Sequence, residues 1–259
     1  NVVSELNELE GVEGFFYKEY CKTSKPPRPY FTDENAKKID AMRNKIRQWC
    51  AKDSISDKEK SLLIGDLMMA VNQVANTAGT YGCFMKKMQK NALKPINMEV
   101  RDLPSKSHHQ LEKYQVDVSQ LHHHIGPEDI VYLDPPYTKR QYAAYYHILE
   151  TIAEDSEPTV SGKTGLRDWS NQKSAFCYKR KALDSIVEVI ESLLVAKRIY
   201  LSYSDSSHVS INDLERALCG IDGVKVKRHD MGEITNYTPS QKASENRDHV
   251  TEWLFEVLR

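Results

Sequence analysis

The chain has 259 residues, 40% of them hydrophobic and 28% charged, and a formal net charge of -1 at pH 7. That is enough chain to bury a substantial core as one large domain or a domain with a smaller lobe. No unbroken apolar run is long enough to cross a bilayer, and a near-neutral chain is no polycation, so affinity for nucleic acid has to come from local patches.

Residues 1–20 are acidic with aromatic residues at the end and read as a leading helix, stopped by Pro26, Pro27 and Pro29. Thr32 is a good N-cap for a helix over residues 35–49, with Ile39, Met42, Ile46 and Trp49 at three- and four-residue spacing. Ser56 or Asp57 starts another, striped by Leu62, Leu63, Leu67, Met68 and Val71. The stretch 76–82 reads as a loop made permissive by Gly79 and Gly82. Residues 21–95 are thus expected to form a mostly helical lobe. From Pro95 the pattern changes to short strands at 96–100, 114–118 and 130–133. A helix at 144–154, another through Ile186 to Leu194, a strand at 198–203, a helix at 211–219 and strands at 224–228 and 252–258 complete an α/β pattern. A polar, basic loop at 236–247 separates the last two strands.

Cys21, Cys50, Cys83, Cys177 and Cys219 are odd in number and form no short-spaced pair, which fits a reducing cytoplasm. His108-His109 and His122-His123-His124 lack ligand spacing and thiolate or carboxylate partners, so no metal is expected. Residues 22–60 carry eleven Lys and Arg against six Asp and Glu, and residues 83–106 carry six against two. Such segments are either solvated helix faces or phosphate-facing patches.

The densest chemistry is Asp134-Pro135-Pro136-Tyr137, directly after the strand at 130–133. Ligands of open α/β sheets gather beyond the carboxyl ends of the strands. There a carboxylate can accept a hydrogen from a planar amine, and the Pro135 carbonyl can take the second. The two prolines hold the backbone with little freedom, and Tyr137 offers a face on which a base extruded from a duplex can stack. The plainer alternative is an Asp-Pro-Pro turn with a core tyrosine.

The stretch from Val131 through the motif to Tyr145-Tyr146-His147-Ile148-Leu149-Glu150 resembles the Dam-like class of adenine-specific DNA methyltransferases, in particular its restriction-modification branch. Tyr30-Phe31-Thr32, the loop 76–82 followed by Lys86-Lys87, Gly162-Lys163-Thr164-Gly165-Leu166-Arg167, Leu201-Ser202-Tyr203-Ser204 and Glu252-Trp253-Leu254-Phe255 look like further landmarks of that branch, in order. The resemblance implies a Rossmann-like sheet using S-adenosylmethionine to methylate a flipped-out adenine in double-stranded DNA. Asp134, Pro135, Pro136 and Tyr137 would form the catalytic motif, and Asp117 together with Asp134 would lie at the cofactor. Asn76, Thr80, Tyr81, Lys86, Lys87, Arg140, Gln141 and Tyr142 would meet DNA. It also implies segment 1–20 as the lead of the catalytic domain, 21–95 as the target-recognition lobe and 96–259 as the catalytic α/β domain.

One family element is not found in the sequence, the Phe-x-Gly-x-Gly-like turn that cradles the methionine end of the cofactor. With Asn1 rather than Met at the start, an incomplete sheet and a further N-terminal polypeptide supplying that turn are expected. A non-catalytic DNA-binding remnant and an RNA adenine methyltransferase are the competing readings. Cytosine carbon-5 chemistry is disfavoured, because no Pro-Cys pair is present.

Overall fold

The computed structural model describes residues 2–101, 110–235 and 249–259. The polar loop expected at 236–247 and the His108-His109 pair lie outside them. The chain forms two compact units, Asn1–His108 with Tyr142–Asn171, and His109–Gln141 with Gln172–Arg259.

The first unit holds α1 (Val2–Glu8), α2 (Phe15–Tyr20), α3 (Asp33–Ala51), α4 (Asp57–Gln73), α5 (Tyr142–Tyr145) and α6 (His147–Ala153), with a small hairpin of β2 (Val160–Ser161) and β3 (Leu166–Arg167). Local chemistry sets its helix starts. The Thr32 hydroxyl accepts the Asn35 N–H at 3.1 Å, and Ser56 with Glu59 forms a reciprocal capping box on α4. The buried Asp40 carboxylate accepts the N–H groups of Gly14, Phe16 and Tyr17 at 2.9–3.1 Å, satisfying the otherwise orphaned donors that open α2. Leu6, Phe16, Tyr20, Ile39, Met42 and Leu67 share one core with Ile148 and Ile152. The leading residues 1–20 therefore pack with segment 21–95, and so do residues 142–171, so the compact units divide the chain at other places than the three-segment expectation. The leading helix is two helices, because Gly11 and Gly14 lie between them.

The second unit is built on a four-stranded mixed sheet in the order β1 (Ile130–Leu133), β4 (Arg198–Ser204), β6 (His249–Leu258), β5 (Lys225–Thr235). β1 runs parallel to β4, with Leu133 beside Leu201. The β4·β6 and β6·β5 pairs are antiparallel. Period-two alternation sends Ile199, Leu201, Tyr203, Phe255 and Val257 into one core with Ile186 and Ile190 of α7 (Ala182–Ser192) and Leu214 and Leu218 of α8 (Ile211–Cys219). The chain is thus mixed α/β. Among the described residues no helix is long and apolar enough to cross a membrane.

Two expected strands are absent. Residues 96–100 are irregular, with Ile96 and Met98 turned into the first unit's core and held by Asn35 and Asn7 through the Ile96 and Met98 N–H groups at 2.9 and 2.8 Å. Side chains thus take the backbone bonds that a neighbouring strand would have taken. Residues 114–117 are also irregular and lead into a 3-10 helix over Val118–His124.

Candidate active site

β1 ends at Leu133, and Asp134-Pro135-Pro136-Tyr137 continues from its carboxyl end. Asp134 is exposed and the next three residues are half-buried. A cavity of about 250 Å³ opens there, walled by Val118, Leu133, Phe176, Ile186, Val189 and Leu201 and rimmed by Asp134, Pro135 and Pro136. Its lining is mostly hydrocarbon with one carboxylate, a combination suited to a ligand with a flat apolar ring and a cationic centre.

Tyr137 is anchored through its backbone and its ring. Its carbonyl accepts the His208 N–H at 2.9 Å. Its ring meets Tyr203 edge-on at 5.9 Å and 70°. Glu252 pairs with Ser204 across β4 and β6. Burial pushes the Glu252 carboxyl up, the Ser204 and Tyr137 hydroxyls oppose that, and the carboxylates of Asp134 and Asp205 reinforce it. Phe176, His208 and Glu252 were not picked out from the sequence as site residues. Strand register gives Glu252 away, because Ser204 pairs with Glu252 just past the point where Leu133 pairs with Leu201.

Asp117 is exposed and caps the 3-10 helix, with Oδ1 accepting both the N–H and the hydroxyl of Ser119 at 3.0 and 2.6 Å. Those two bonds hold its carboxyl below the usual carboxylate range. Its neighbour Val118 lines the cavity. Arg140 is exposed.

Three residues expected to touch DNA are corrected by their burial. Asn76 has no exposed surface, and it gives its amide to the Pro29 and Met85 carbonyls at 2.8 and 3.0 Å while accepting the Gln89 N–H at 3.0 Å. Tyr81 is equally enclosed, its hydroxyl donating to Asn72 at 3.1 Å. Gln141 is 7% exposed and clasps the Ser174 backbone by both ends of its amide, at 3.0 and 2.8 Å. Asn76 has both N–H groups committed to backbone carbonyls, and Gln141 is buried with its amide turned onto the Ser174 backbone, so neither is presented to a base edge. Lys86, Lys87 and Tyr142 are exposed and Thr80 is half-buried. The loop carrying Thr80 lies against α5, where Tyr81 donates its N–H to the Tyr145 carbonyl at 2.7 Å and Gly82 leaves room for the Tyr145 ring.

Behind that loop stands a buried polar hub. The Tyr30 hydroxyl lies 2.8 Å from the Tyr81 carbonyl and 3.1 Å from that of Thr164, and Tyr20 donates to the Gly165 carbonyl at 2.9 Å. Gly165 is required there, since φ is +66° and a Cβ would lie 2.9 Å from the Tyr20 ring. His147 Nε2 is 3.1 Å from the Tyr81 carbonyl, so it carries the proton, while buried Nδ1 has no hydrogen-bond partner among the described residues. Burial lowers the His147 pKa to about 4, keeping the ring neutral.

Residues 2–216 match the model of the D12 class N6 adenine-specific DNA methyltransferases. The chain belongs to that family. Among curated proteins this D12-class chain is 36% identical to the type II methyltransferase M.NlaIII of Neisseria lactamica, over 99% of its own length and 74% of that protein's. It is 32% identical to the modification methylase StsI of Streptococcus sanguinis, over 89% of its length and 34% of that protein's. It is 33% identical to the type II methyltransferase M.CviAII of Paramecium bursaria Chlorella virus 1, over 83% of its length and 63% of that protein's. The chain therefore spans about three quarters of M.NlaIII and about a third of StsI. No solved structure gives a significant match to this D12-class chain.

Proposed function

We propose that this chain methylates the 6-amino group of a flipped-out adenine in double-stranded DNA, using S-adenosylmethionine, as the modification enzyme of a restriction-modification system. The observation that carries the reading is the position of Asp134-Pro135-Pro136-Tyr137. It lies at the carboxyl end of β1, with the Asp134 carboxylate at the rim of an apolar cavity.

The walls of that cavity fit the cofactor's purine, and the one carboxylate at its rim suits a neighbouring sulfonium. When bound, the cofactor supplies an electrophilic methyl group. Asp134 accepts one hydrogen of the target amine and the Pro135 carbonyl the other, which draws electron density onto the nitrogen that the purine ring otherwise withdraws. Pro136 keeps the turn rigid, and Tyr137 stacks on the extruded base. Asp117, with Oδ1 engaged by Ser119, has Oδ2 to offer a cofactor hydroxyl.

We read the four-stranded sheet as part of a Rossmann-like methyltransferase sheet and the helical segment 21–95 as its target-recognition lobe. Lys86, Lys87 and Arg140 serve phosphates, and Thr80 and Tyr142 serve the backbone or base edges. The methionine end of the cofactor needs a glycine turn, supplied by a further N-terminal segment wherever that is encoded. Transfer of labelled methyl from S-adenosylmethionine to unmodified DNA, with and without such a segment, tests the reading. Label in the 6-amino group of adenine, lost in Asp134→Ala, is the expected outcome. Label in RNA alone, or DNA binding with no transfer under either condition, would overturn it.

A further inference from the structure

The segment that leads into α7 is basic and is tied to the motif turn. Residues 172–181 carry Lys173, Lys179, Arg180 and Lys181 and no acidic residue. Tyr178, Lys179, Arg180 and Lys181 are consecutive and all exposed, with the Lys181 ammonium 6.0 Å from the centre of the Tyr178 ring. Just before them Cys177 is buried and bonded twice. Its carbonyl accepts His208 Nε2 at 3.2 Å, and its thiol donates to the Arg140 carbonyl at 3.3 Å. His208 is also the residue whose N–H reaches the Tyr137 carbonyl at 2.9 Å, and Gln141 clasps Ser174. Lys179 stands two residues beyond that strut, at most about 7 Å of extended chain. It lines an open cavity of about 380 Å³ with His208, Ser210, Asp213 and Arg216. The Asp213 carboxylate takes the Ser210 hydroxyl at 2.7 Å and Arg216 at 3.0 Å, so its charge is matched locally and the Lys179 ammonium sets the sign of the cavity.

We infer that Lys179, Arg180 and Lys181 form a phosphate-binding site of the motif-bearing unit, holding the backbone of double-stranded DNA beside the base extruded onto Tyr137. The inference rests on the function proposed above and adds a site to the phosphate contacts given there. Phosphate contacts carry no sequence information and instead set register and orientation. An extruded base needs both, because flipping turns a nucleotide about its own backbone. The flanking phosphates have to be held while the base leaves the stack. Cations on an unbraced loop would hold them loosely. Here the bearing segment is strutted through His208 to the backbone of Tyr137, so bound phosphates and stacking ring keep a fixed separation. A run of three cations also suits the partner, since each strand presents a phosphate about every 3.4 Å along the duplex axis.

The test reads binding and needs no turnover. Affinity of the full chain for a short fluorescent duplex of mixed sequence is measured across a KCl series. In the triple variant Lys179→Ala, Arg180→Ala, Lys181→Ala, the slope of log affinity against log salt is expected to become shallower by about 0.9 for each cation that meets a phosphate, about 2–3 in all. The charge-keeping triple variant Lys179→Arg, Arg180→Lys, Lys181→Arg should return the wild-type slope. Lys197→Ala removes an exposed cation at the amino end of β4, where it meets Glu128 at 3.1 Å, and should leave the slope alone. A wild-type slope in the triple alanine variant overturns the inference, because the run then faces only solvent. An equal fall per charge in Lys197→Ala also overturns it, because net charge alone then explains the effect. Circular dichroism checks that each variant is folded. A wild type that binds the duplex and transfers no methyl group defeats the proposed function alone, and the slopes still decide the site. A wild type that binds single-stranded RNA and no duplex overturns the site.

Discussion

The backbone of Tyr137 and that of His208 are joined by one hydrogen bond of 2.9 Å, so the turn after β1 and the turn after the neighbouring parallel strand β4 move as one piece. Pro135 and Pro136 stiffen the first turn, and the Thr251–Asp205 pair of bonds stiffens the second. The motif is therefore rigid without a side chain of Asp134 taking part, and that separation shapes the expected effects of substitution.

Asp134→Ala is expected to abolish methyl transfer with no loss of fold, because Asp134 is exposed. Asp134→Asn should keep DNA and lose most turnover, since an amide accepts more weakly than a carboxylate. Equal methylation by wild type and Asp134→Ala in matched amounts would refute the assignment.

Tyr137→Ala should weaken capture of the extruded base by about 1–3 kcal/mol, the usual contribution of a base–aromatic stack. Tyr137→Phe should preserve that capture even where it slows turnover. Fluorescence of an adenine analogue at the target position reads the effect directly, and an unchanged flipped-state signal in Tyr137→Ala would show that stacking lies elsewhere.

The His147 pKa of about 4, below the ordinary 6.5, makes stability pH-dependent with a definite sign. The unfolded chain takes up the proton first. The stabilisation is complete above pH 6.5 and is lost as pH falls towards 4, by up to about 3 kcal/mol. Urea melts of wild type and His147→Gln at pH 7.5 and 4.5 should show that slope flattening in the variant, which keeps a donor for the Tyr81 carbonyl. Parallel slopes would contradict it.

Asn76→Ala should cost about 2–4 kcal/mol, because two carbonyls and one N–H lose a side-chain partner in a buried place. Lys86→Ala and Lys87→Ala should leave the melting temperature alone. Each should instead reduce the salt dependence of DNA affinity by about one counterion. Affinity titrations across a salt series separate these outcomes.

The sequence carried the helices well wherever capping was local, as at Thr32 and Ser56, and it carried the strands that alternate against a helix layer. It misled where side chains replaced a ladder partner, as with Asn35 and Asn7 at residues 96–98. The motif was legible because four consecutive residues bear the chemistry. Its surroundings were not, since Glu252 lies 118 positions beyond Asp134 (252 against 134) and only strand register brings them near. Polar type also proved a poor guide to exposure. Asn76 and Gln141 look like contact residues in the sequence, yet each is consumed by carbonyls and N–H groups of its own fold.

The Tyr81 carbonyl faces both Tyr30 and His147, and its N–H is taken by Tyr145. The segment bearing Gly79 and Thr80 therefore hangs from a point already fixed on both sides of the peptide unit. Fixing one residue's backbone costs about 1–2 kcal/mol of entropy, and at Tyr81 that cost falls on folding instead of association. A ligand meeting this loop would encounter an ordered edge, so its binding should show a smaller entropic penalty than the coupled folding of a free loop would impose.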